Sequence, residues 1–163
     1  MSARHPASRV LVLSLMAALV LTMMPLPDMV APARPYWVAL VMIYWNLEAG
    51  RLRHLGQAFA IGLLLDLMTG TLLGQHALSL VIISYLTERF RNRIRFFPPW
   101  QQAAVVMALL FNDRIVQLWI IGLVDDAWPP PLWWLAPVAG LLLWPWLFLL
   151  LDRMRQFERR QRT

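Results

Sequence analysis

The sequence predicts an all-α integral membrane protein with six transmembrane helices and with both termini in the cytoplasm. Of its 163 residues, 60% are hydrophobic and 15% are charged, and the mean hydropathy is +0.55. An average soluble domain is about 45–50% apolar and about 25% charged, so this chain has too few charged residues to cover a soluble globule. Disordered chains have the opposite composition. Six apolar stretches and a one-sided distribution of arginine then give the spans and their orientation.

Each predicted span is an apolar stretch within a single membrane domain that covers residues 1–163. The first, third, fifth and sixth stretches reach or approach the roughly 20 residues that a helix needs to cross the hydrocarbon. The second and fourth have shorter apolar runs, and we expect their terminal residues Glu48 and Glu88 to reach the lipid headgroups. In chain order, the predicted spans are residues 10–27, 35–50, 55–73, 75–90, 102–124 and 132–151.

The first span also resembles a secretory signal peptide, because Arg4 and Arg9 precede its apolar run and the small residues Ala31 and Ala33 follow it. Cleavage would leave five spans in the same orientation, so the charge distribution does not distinguish the two interpretations. We favour retention of this span, because four prolines crowd the candidate cleavage site and fit an extended loop outside the membrane equally well: Pro25, Pro27, Pro32 and Pro35.

All fifteen basic residues are arginine, and their positions predict the topology. Thirteen of them fall on the N-terminus, the 49–54 link, the 87–101 link and the C-terminal tail, which a six-span chain places on one side. Arg34 falls on a link at the other side, and Arg114 lies inside the fifth span. Positive residues concentrate in cytoplasmic loops, so this asymmetry predicts cytoplasmic termini. We expect the arginine-rich links to meet anionic lipid, and we expect no binding of nucleic acid.

Aromatic residues mark the expected membrane–water interfaces, where tryptophan and tyrosine are enriched. Tyr36 opens the second span, Trp100 opens the fifth, and Trp133 precedes the sixth. The alternative is an aromatic cage around a ligand. Pro145 lies inside the sixth span, and we expect it to remove one backbone hydrogen bond and to kink that helix.

One carboxylate is predicted at the middle of the third span, where a charge is costly and must face protein or water. Asp66 follows Gly62 by four residues and precedes Gly70 and Gly74 at the same spacing, with Thr69 beside them. On a continuous helix these positions form one stripe, along which another helix backbone can approach closely. The stripe predicts an internal helix-packing contact, and a ligand or proton site at the carboxylate is the alternative.

The fifth span carries three consecutive polar residues near its centre, Asn112, Asp113 and Arg114. Asp113 shares a helix face with Gln117, four residues later. Adjacent residues point about 100° apart on a helix, so Asp113 and Arg114 need not pair with each other. The carboxylate of Asp66 is a candidate partner for Arg114 on another helix.

The sequence contains no motif that predicts catalysis, and we expect no enzyme, no cofactor and no metal site. It has no cysteine, no phosphate-binding loop and neither G-x-S-x-G nor H-E-x-x-H. The three histidines, His5, His54 and His76, are far apart in sequence and lack the spacing of metal ligands.

Several stretches in fixed order resemble the bacterial rod shape-determining MreD family, most closely its proteobacterial branch. They are residues 25–28 (PLPD), 34–38 (RPYWV), 44–45 (YW), 62–74 (GLLLDLMTGTLLG), 100–106 (WQQAAVV) and 143–148 (LWPWLF). Each stretch alone is a weak signature, whereas their order in a six-span chain of this length is much more specific. The neighbours of Asp113 depart from the family pattern, which is mostly apolar at this point.

This resemblance implies a non-enzymatic inner-membrane component of the cell-elongation machinery. Such a protein works with MreC, MreB, RodA and a penicillin-binding transpeptidase to direct lateral peptidoglycan synthesis and to maintain rod shape. The resemblance also implies a fold related to the substrate-binding subunits of vitamin transporters, and it supplies no catalytic residues. The alternative function is a transporter subunit or ligand-binding membrane protein, with Asp66, Asp113 and Arg114 lining a cavity.

Overall fold

A computed structural model describes residues 9–48, 55–124 and 128–160, and these residues form six α-helices with no β-strand among them. The all-helical class is therefore confirmed for this part of the chain. Short 3-10 helices, Ala31–Ala33 and Pro131–Leu135, precede the second and sixth α-helices. The α-helices are α1 (Arg9–Met23), α2 (Trp37–Glu48), α3 (Leu55–Thr69), α4 (Gln75–Ile94), α5 (Pro99–Val124) and α6 (Ala136–Arg160). His5, His54 and the entire predicted 49–54 link lie outside the described residues.

Each predicted span corresponds to one of these helices, although the ends differ. In the described part of the chain, two segments are long and apolar enough to cross a membrane by themselves, α5 and residues Pro131–Glu158. The helices α1 and α3 are apolar but shorter, at 15 residues each. Pro145 lies within the continuous helix α6, and the kink expected there stays a prediction.

The turn between α3 and α4 follows directly from its glycines. Gly70 has a φ of +67° and Gly74 a φ of +101°, values that favour glycine because it has no Cβ. The first ends α3 after Thr69, and the second precedes the first residue of α4. The two helices therefore form a tight antiparallel hairpin.

The core of the bundle is α2, which has only 12 residues. Its ten consecutive residues from Val38 to Leu47 are all buried, and it packs against α1, α4 and α6. A helix that is apolar on all sides is buried on all sides. The helix α2, which corresponds to the predicted second span, is thus an interior helix surrounded by its neighbours.

Charged residues join the ends of three helices at one end of the bundle, which we call the arginine end. Glu48, at the end of α2, accepts from Arg155 of α6 at 2.6 Å and lies 3.9 Å from Arg95, which follows α4. Arg91 of α4 donates its Nε–H to the carbonyl oxygen of Leu47 at 2.8 Å. Glu48 therefore fixes helices to one another, although we had expected it only to reach the headgroups.

The two ends of the described chain also meet at the arginine end. The backbone N–H of Arg9, the first residue of α1, donates to Glu158 near the end of α6 at 3.0 Å. The start of α1 and the ends of α2, α4 and α6 consequently lie on the same side of the bundle.

Candidate functional site

A surface-open cavity of about 310 Å³ lies at the end of the bundle opposite the arginine end. We call it the outer cavity. Its walls come from the end of α1, the link before α2, the α3–α4 hairpin, α5 and the second 3-10 helix. Among its lining residues are Arg34, Tyr36, His76, Arg114, Gln117 and Trp133. The described residues contribute no carboxylate to this lining.

Asp66 stands behind one wall of the outer cavity and holds the α3–α4 hairpin together. It is 1% exposed, and its Oδ2 accepts the backbone N–H of Gly74 at 2.8 Å. Its Oδ1 accepts the backbone N–H of His76 at 2.9 Å, the ring Nδ1 of His76 at 2.8 Å and the hydroxyl group of Thr71 at 3.0 Å. The carboxylate thus satisfies N–H groups at the start of α4, which have no partner within the helix.

The contact with Asp66 also orients the His76 ring, which lines the outer cavity. Because an ionised carboxylate only accepts hydrogen bonds, Nδ1 carries the proton in this arrangement. His76 received no role from its sequence position, ten residues after Asp66. A turn at the two glycines, Gly70 and Gly74, reverses the chain between Asp66 and His76. Recognising that turn in the sequence would have predicted that the two side chains are close.

The predicted stripe of Gly62, Asp66, Gly70 and Gly74 is wrong as a continuous helix surface. Helix α3 ends at Thr69, so Gly70 and Gly74 belong to the turn rather than to the helix. Thr69 donates its hydroxyl to the carbonyl oxygen of Leu65 at 2.7 Å, which is a bond within α3.

Gly62 alone makes the close helix contact that the stripe was expected to provide. A Cβ atom added to Gly62 would lie 2.2 Å from the Cα of Ala77 in α4. Only glycine permits backbones to approach so closely. The packing interpretation therefore holds at this position.

Asp113 stands behind a second wall of the outer cavity and is 1% exposed. Gln117 donates its Nε2 to both carboxylate oxygens of Asp113, at 3.1 and 3.0 Å, and Ser79 of α4 donates its hydroxyl group to the same carboxylate. The expected common face of Asp113 and Gln117 is therefore observed. Asp113 fixes the Gln117 amide, which lines the cavity.

Arg114 lines the outer cavity, and the expected pair between Arg114 and Asp66 is wrong. Its NH1 donates to Gln117 at 3.4 Å, and its guanidinium carbon lies 4.5 Å from the ring centroid of Trp133. Stacking on a tryptophan face stabilises a guanidinium without a carboxylate. Asp66 is already bonded to groups of the α3–α4 hairpin, so its position is decided by the turn.

Two further residues at the same end of the bundle, Arg34 and Tyr36, were predicted from the sequence to lie on this side, but their contacts were not predicted. Arg34 donates its NH1 and NH2 to the carbonyl oxygens of Thr22 and Met24, the latter at 2.7 Å, and so caps the end of α1. The Tyr36 ring contacts the His76 ring edge-on, with centroids 5.7 Å apart. Asn112, by contrast, has a buried Oδ1 with no hydrogen-bond partner in the described part of the chain and does not line the cavity.

The carboxylates and histidines do not gather as metal ligands. Within residues 9–48, 55–124 and 128–160, no group of three or more His, Cys, Asp or Glu side chains converges. The outer cavity instead offers hydrogen-bond donors and positive charge.

Comparisons with known proteins agree with the resemblance found in the sequence. The family model described as rod shape-determining protein MreD matches residues 4–154. The rod shape-determining protein MreD of Haemophilus influenzae is 33% identical over 143 residues, which cover 85% of this chain and 86% of that protein. No solved structure matches the chain, so the relation to vitamin-transporter subunits stays a prediction.

Proposed function

This chain belongs to the MreD family of rod shape-determining proteins, and from that membership we propose that it is a non-enzymatic, multi-pass component of the bacterial inner membrane. In this role it acts with MreC to organise lateral peptidoglycan synthesis and to maintain rod shape. MreB, RodA and a penicillin-binding transpeptidase belong to the same complex. The observation that carries the proposal is the extent of the family match, from residue 4 to residue 154.

The expected consequence of this role is a defect in cell shape when the protein is lost. In a rod-shaped host whose own gene is placed under a repressible promoter, depletion should give rounded cells, and a plasmid copy should restore rods. Rods that persist after complete depletion, verified by immunoblot, would contradict the proposal.

We propose that six helices cross the membrane with both termini in the cytoplasm. The arginine end supports this orientation, because the start of α1 and the ends of α2, α4 and α6 meet there. Thirteen of the fifteen arginines fall in the segments that the six-span prediction assigns to the cytoplasm, in keeping with the positive-inside rule. The exposure of Arg89 and Arg93 on α4 supports the proposed contact with anionic lipid headgroups at this end.

Cysteine labelling tests this topology cleanly, because the natural chain has no cysteine. Asn92 is an exposed residue near the end of α4, and Met29 is 85% exposed on the α1–α2 link at the other end. In intact cells, a membrane-impermeant maleimide should label Met29→Cys and leave Asn92→Cys unlabelled. Permeabilised cells should show both signals, and labelling of Asn92→Cys before permeabilisation would overturn the orientation.

The lipid-facing surfaces of the long helices are the proposed contact sites for MreC. Trp119 of α5 is 74% exposed and Trp146 of α6 is 76% exposed, and such apolar surfaces within a bilayer face either lipid or a partner helix. A photo-crosslinking amino acid at either position, activated in native membranes, should capture MreC. If both positions gave crosslinks to lipid and none to MreC, these surfaces would not be the contact sites for MreC.

Ligand binding is a second candidate function, and the outer cavity is the observation that favours it. Of the three residues expected to line a cavity, only Arg114 does so. Asp66 and Asp113 stand behind the lining and hold His76 and Gln117 in place. In a ligand-binding role, the ligand would therefore contact the positive charge of Arg114 and hydrogen-bond donors in the lining, and not the carboxylates of Asp66 and Asp113.

A further inference from the structure

The helix α1 is shorter than the bilayer that it crosses in the six-span topology. At a rise of 1.5 Å per residue, its 15 residues cover about 22 Å, whereas the hydrocarbon core of a typical bilayer is about 30 Å thick. One side of α1 carries a stripe of exposed apolar residues at a spacing of four, which we call the α1 face: Val12, Met16, Val20 and Met24. Tilting the helix would only reduce the height that it covers, so tilt does not supply the missing length of about 8 Å.

Both ends of the α1 face are bounded by groups that hydrocarbon excludes. At the arginine end, Arg9 donates its backbone N–H to Glu158. At the other end, the guanidinium group of Arg34 donates to the last carbonyl oxygens of this segment, including that of Met24 at 2.7 Å. The next residues, 25–30, are exposed and non-helical, and lipid-exposed irregular backbone does not occur within hydrocarbon. The hydrocarbon beside α1 therefore extends from near Arg9 to near Met24.

The helix α5 continues well beyond the level at which α1 ends. Thr22 of α1 and Arg114 of α5 line the same cavity, and Trp133 of the second 3-10 helix contacts Arg114 at 4.5 Å. The two 3-10 helices also pack against each other, so the end of α1 lies near the level of Arg114. From Arg114, α5 runs on to Val124, about 15 Å farther along its axis. The bundle is therefore short on its α1 side and long on its α5 side.

The missing height lies on the outer side of the membrane. At the arginine end, α1 begins beside the last turns of α6, so the two helices reach a common level there. At the opposite end, α1 ends while α5 continues. A bilayer adapts to a short apolar surface by becoming thinner around it, at modest cost.

We propose that the α1 face thins the outer half of the bilayer locally by about 8 Å. The partner of this surface is lipid, and the surface fits hydrocarbon chains that are shorter or more disordered than average. Outer-leaflet headgroups then lie beside Thr22 and Arg34, at the rim of the outer cavity. This inference rests on the proposed six-span topology and adds a local deformation of the membrane to it.

The depth of single spin labels in the bilayer tests the proposal. The natural chain has no cysteine, so each single-cysteine variant carries one label. The full-length protein is placed in bilayers of dioleoylphosphatidylcholine, and depth is read from collisions with oxygen, which concentrates in hydrocarbon, and with a water-soluble nickel chelate. The test position is Met24→Cys. Its matched control is Ile115→Cys, which is exposed on α5 next to Arg114 and therefore near the same level.

The label at Met24→Cys should lie at the headgroups, and the label at Ile115→Cys should lie about 8 Å deeper, in hydrocarbon. Two further labels locate the inner half of α1. Met16→Cys, near the middle of the helix, should be the deepest position on the α1 face, and Val12→Cys should be shallower by about 5 Å.

The possible contrary results have different meanings. If Met24→Cys and Ile115→Cys are equally deep in hydrocarbon, the bilayer is not thinned and the proposal is overturned, while the topology stands. If both lie at the headgroups, or if Val12→Cys is as deep as Met16→Cys, no local thinning at the α1 face exists and the proposal is also overturned. If Met16→Cys is exposed to water, α1 does not cross the membrane, and the six-span topology fails together with the proposal.

Discussion

Replacing Gly62 with alanine tests the close contact between α3 and α4. The added Cβ would lie 2.2 Å from the Cα and 2.6 Å from the backbone nitrogen of Ala77. Ordinary van der Waals contact begins at 3.4 Å, so α4 must move away by about 1.2 Å. Because the obstacle is backbone rather than the tip of a side chain, no change of rotamer relieves it.

The free energy of unfolding follows from two opposing effects. Overpacking of this kind costs about 1–3 kcal/mol, and replacing a helical glycine with alanine returns about 0.5–1 kcal/mol. We expect Gly62→Ala to lose about 1–2 kcal/mol overall. Gly122 of α5 is the matched control, because a Cβ there meets nothing within 4 Å, and Gly122→Ala should gain about 0.5–1 kcal/mol.

Thermal unfolding of the purified variants in one detergent measures this difference. For a chain of this size, the two melting temperatures should differ by about 3–12 °C. Gly140→Ala should fall between them, because the atom with which its Cβ would clash, at 2.2 Å, is Cδ1 of Leu110, the end of a side chain rather than backbone. If Gly62→Ala is as stable as Gly122→Ala, the backbone contact with Ala77 does not determine how α3 and α4 pack.

Three further substitutions, two of them with a matched control, test the buried polar contacts by the same unfolding assay. Asp66→Asn removes the charge that receives two backbone N–H groups, so we expect a loss of about 1–3 kcal/mol; an unchanged melting temperature would contradict the capping role. Ser79→Ala removes a donor to the buried carboxylate of α5 and should cost about 1–3 kcal/mol. Ser84→Ala should be neutral or stabilising, because that hydroxyl group is buried without a partner in the described part of the chain; equal effects of the two serine variants would refute this reasoning. Glu48→Gln should cost about 1–3 kcal/mol, because it removes the ion pair with Arg155. Glu88 is exposed, and Glu88→Gln should change the stability by no more than about 0.5 kcal/mol. A similar loss in both variants would show that the ion pair of Glu48 does not stabilise the bundle.

The helices could be predicted because hydropathy is a local property of the sequence. Each of the six apolar stretches became a helix, whereas the turn formed by Gly70 and Gly74 had been predicted as part of a helix surface. The expectation that Gly70 and Gly74 continue the α3 stripe was wrong because α3 ends before them. A spacing of four describes a face only while the helix continues, and positive φ ends it.

The candidate site was predictable only where its contacts are local. The bond between Asp113 and Gln117 follows from their spacing of four residues on one helix. Asp66 and Arg114 were correctly singled out as polar residues in apolar segments, but their pairing was wrong. Contacts between residues on different helices depend on the rotation of each helix about its axis and on the height of each residue in the bundle. The spacing of residues within one helix specifies neither.

The sequence alone predicted a membrane protein, the positions of its helices and the family to which it belongs. Composition, hydropathy and the order of motifs are properties of the sequence itself and do not depend on how the helices pack. Only the tertiary structure decided that α2 is an interior helix, that Glu48 joins three helices and that Arg34, Tyr36 and Arg114 share one cavity. The segments that carry these residues are far apart in sequence. Their meeting depends on close backbone contacts such as that of Gly62 with Ala77, which set helix positions to within an ångström or two.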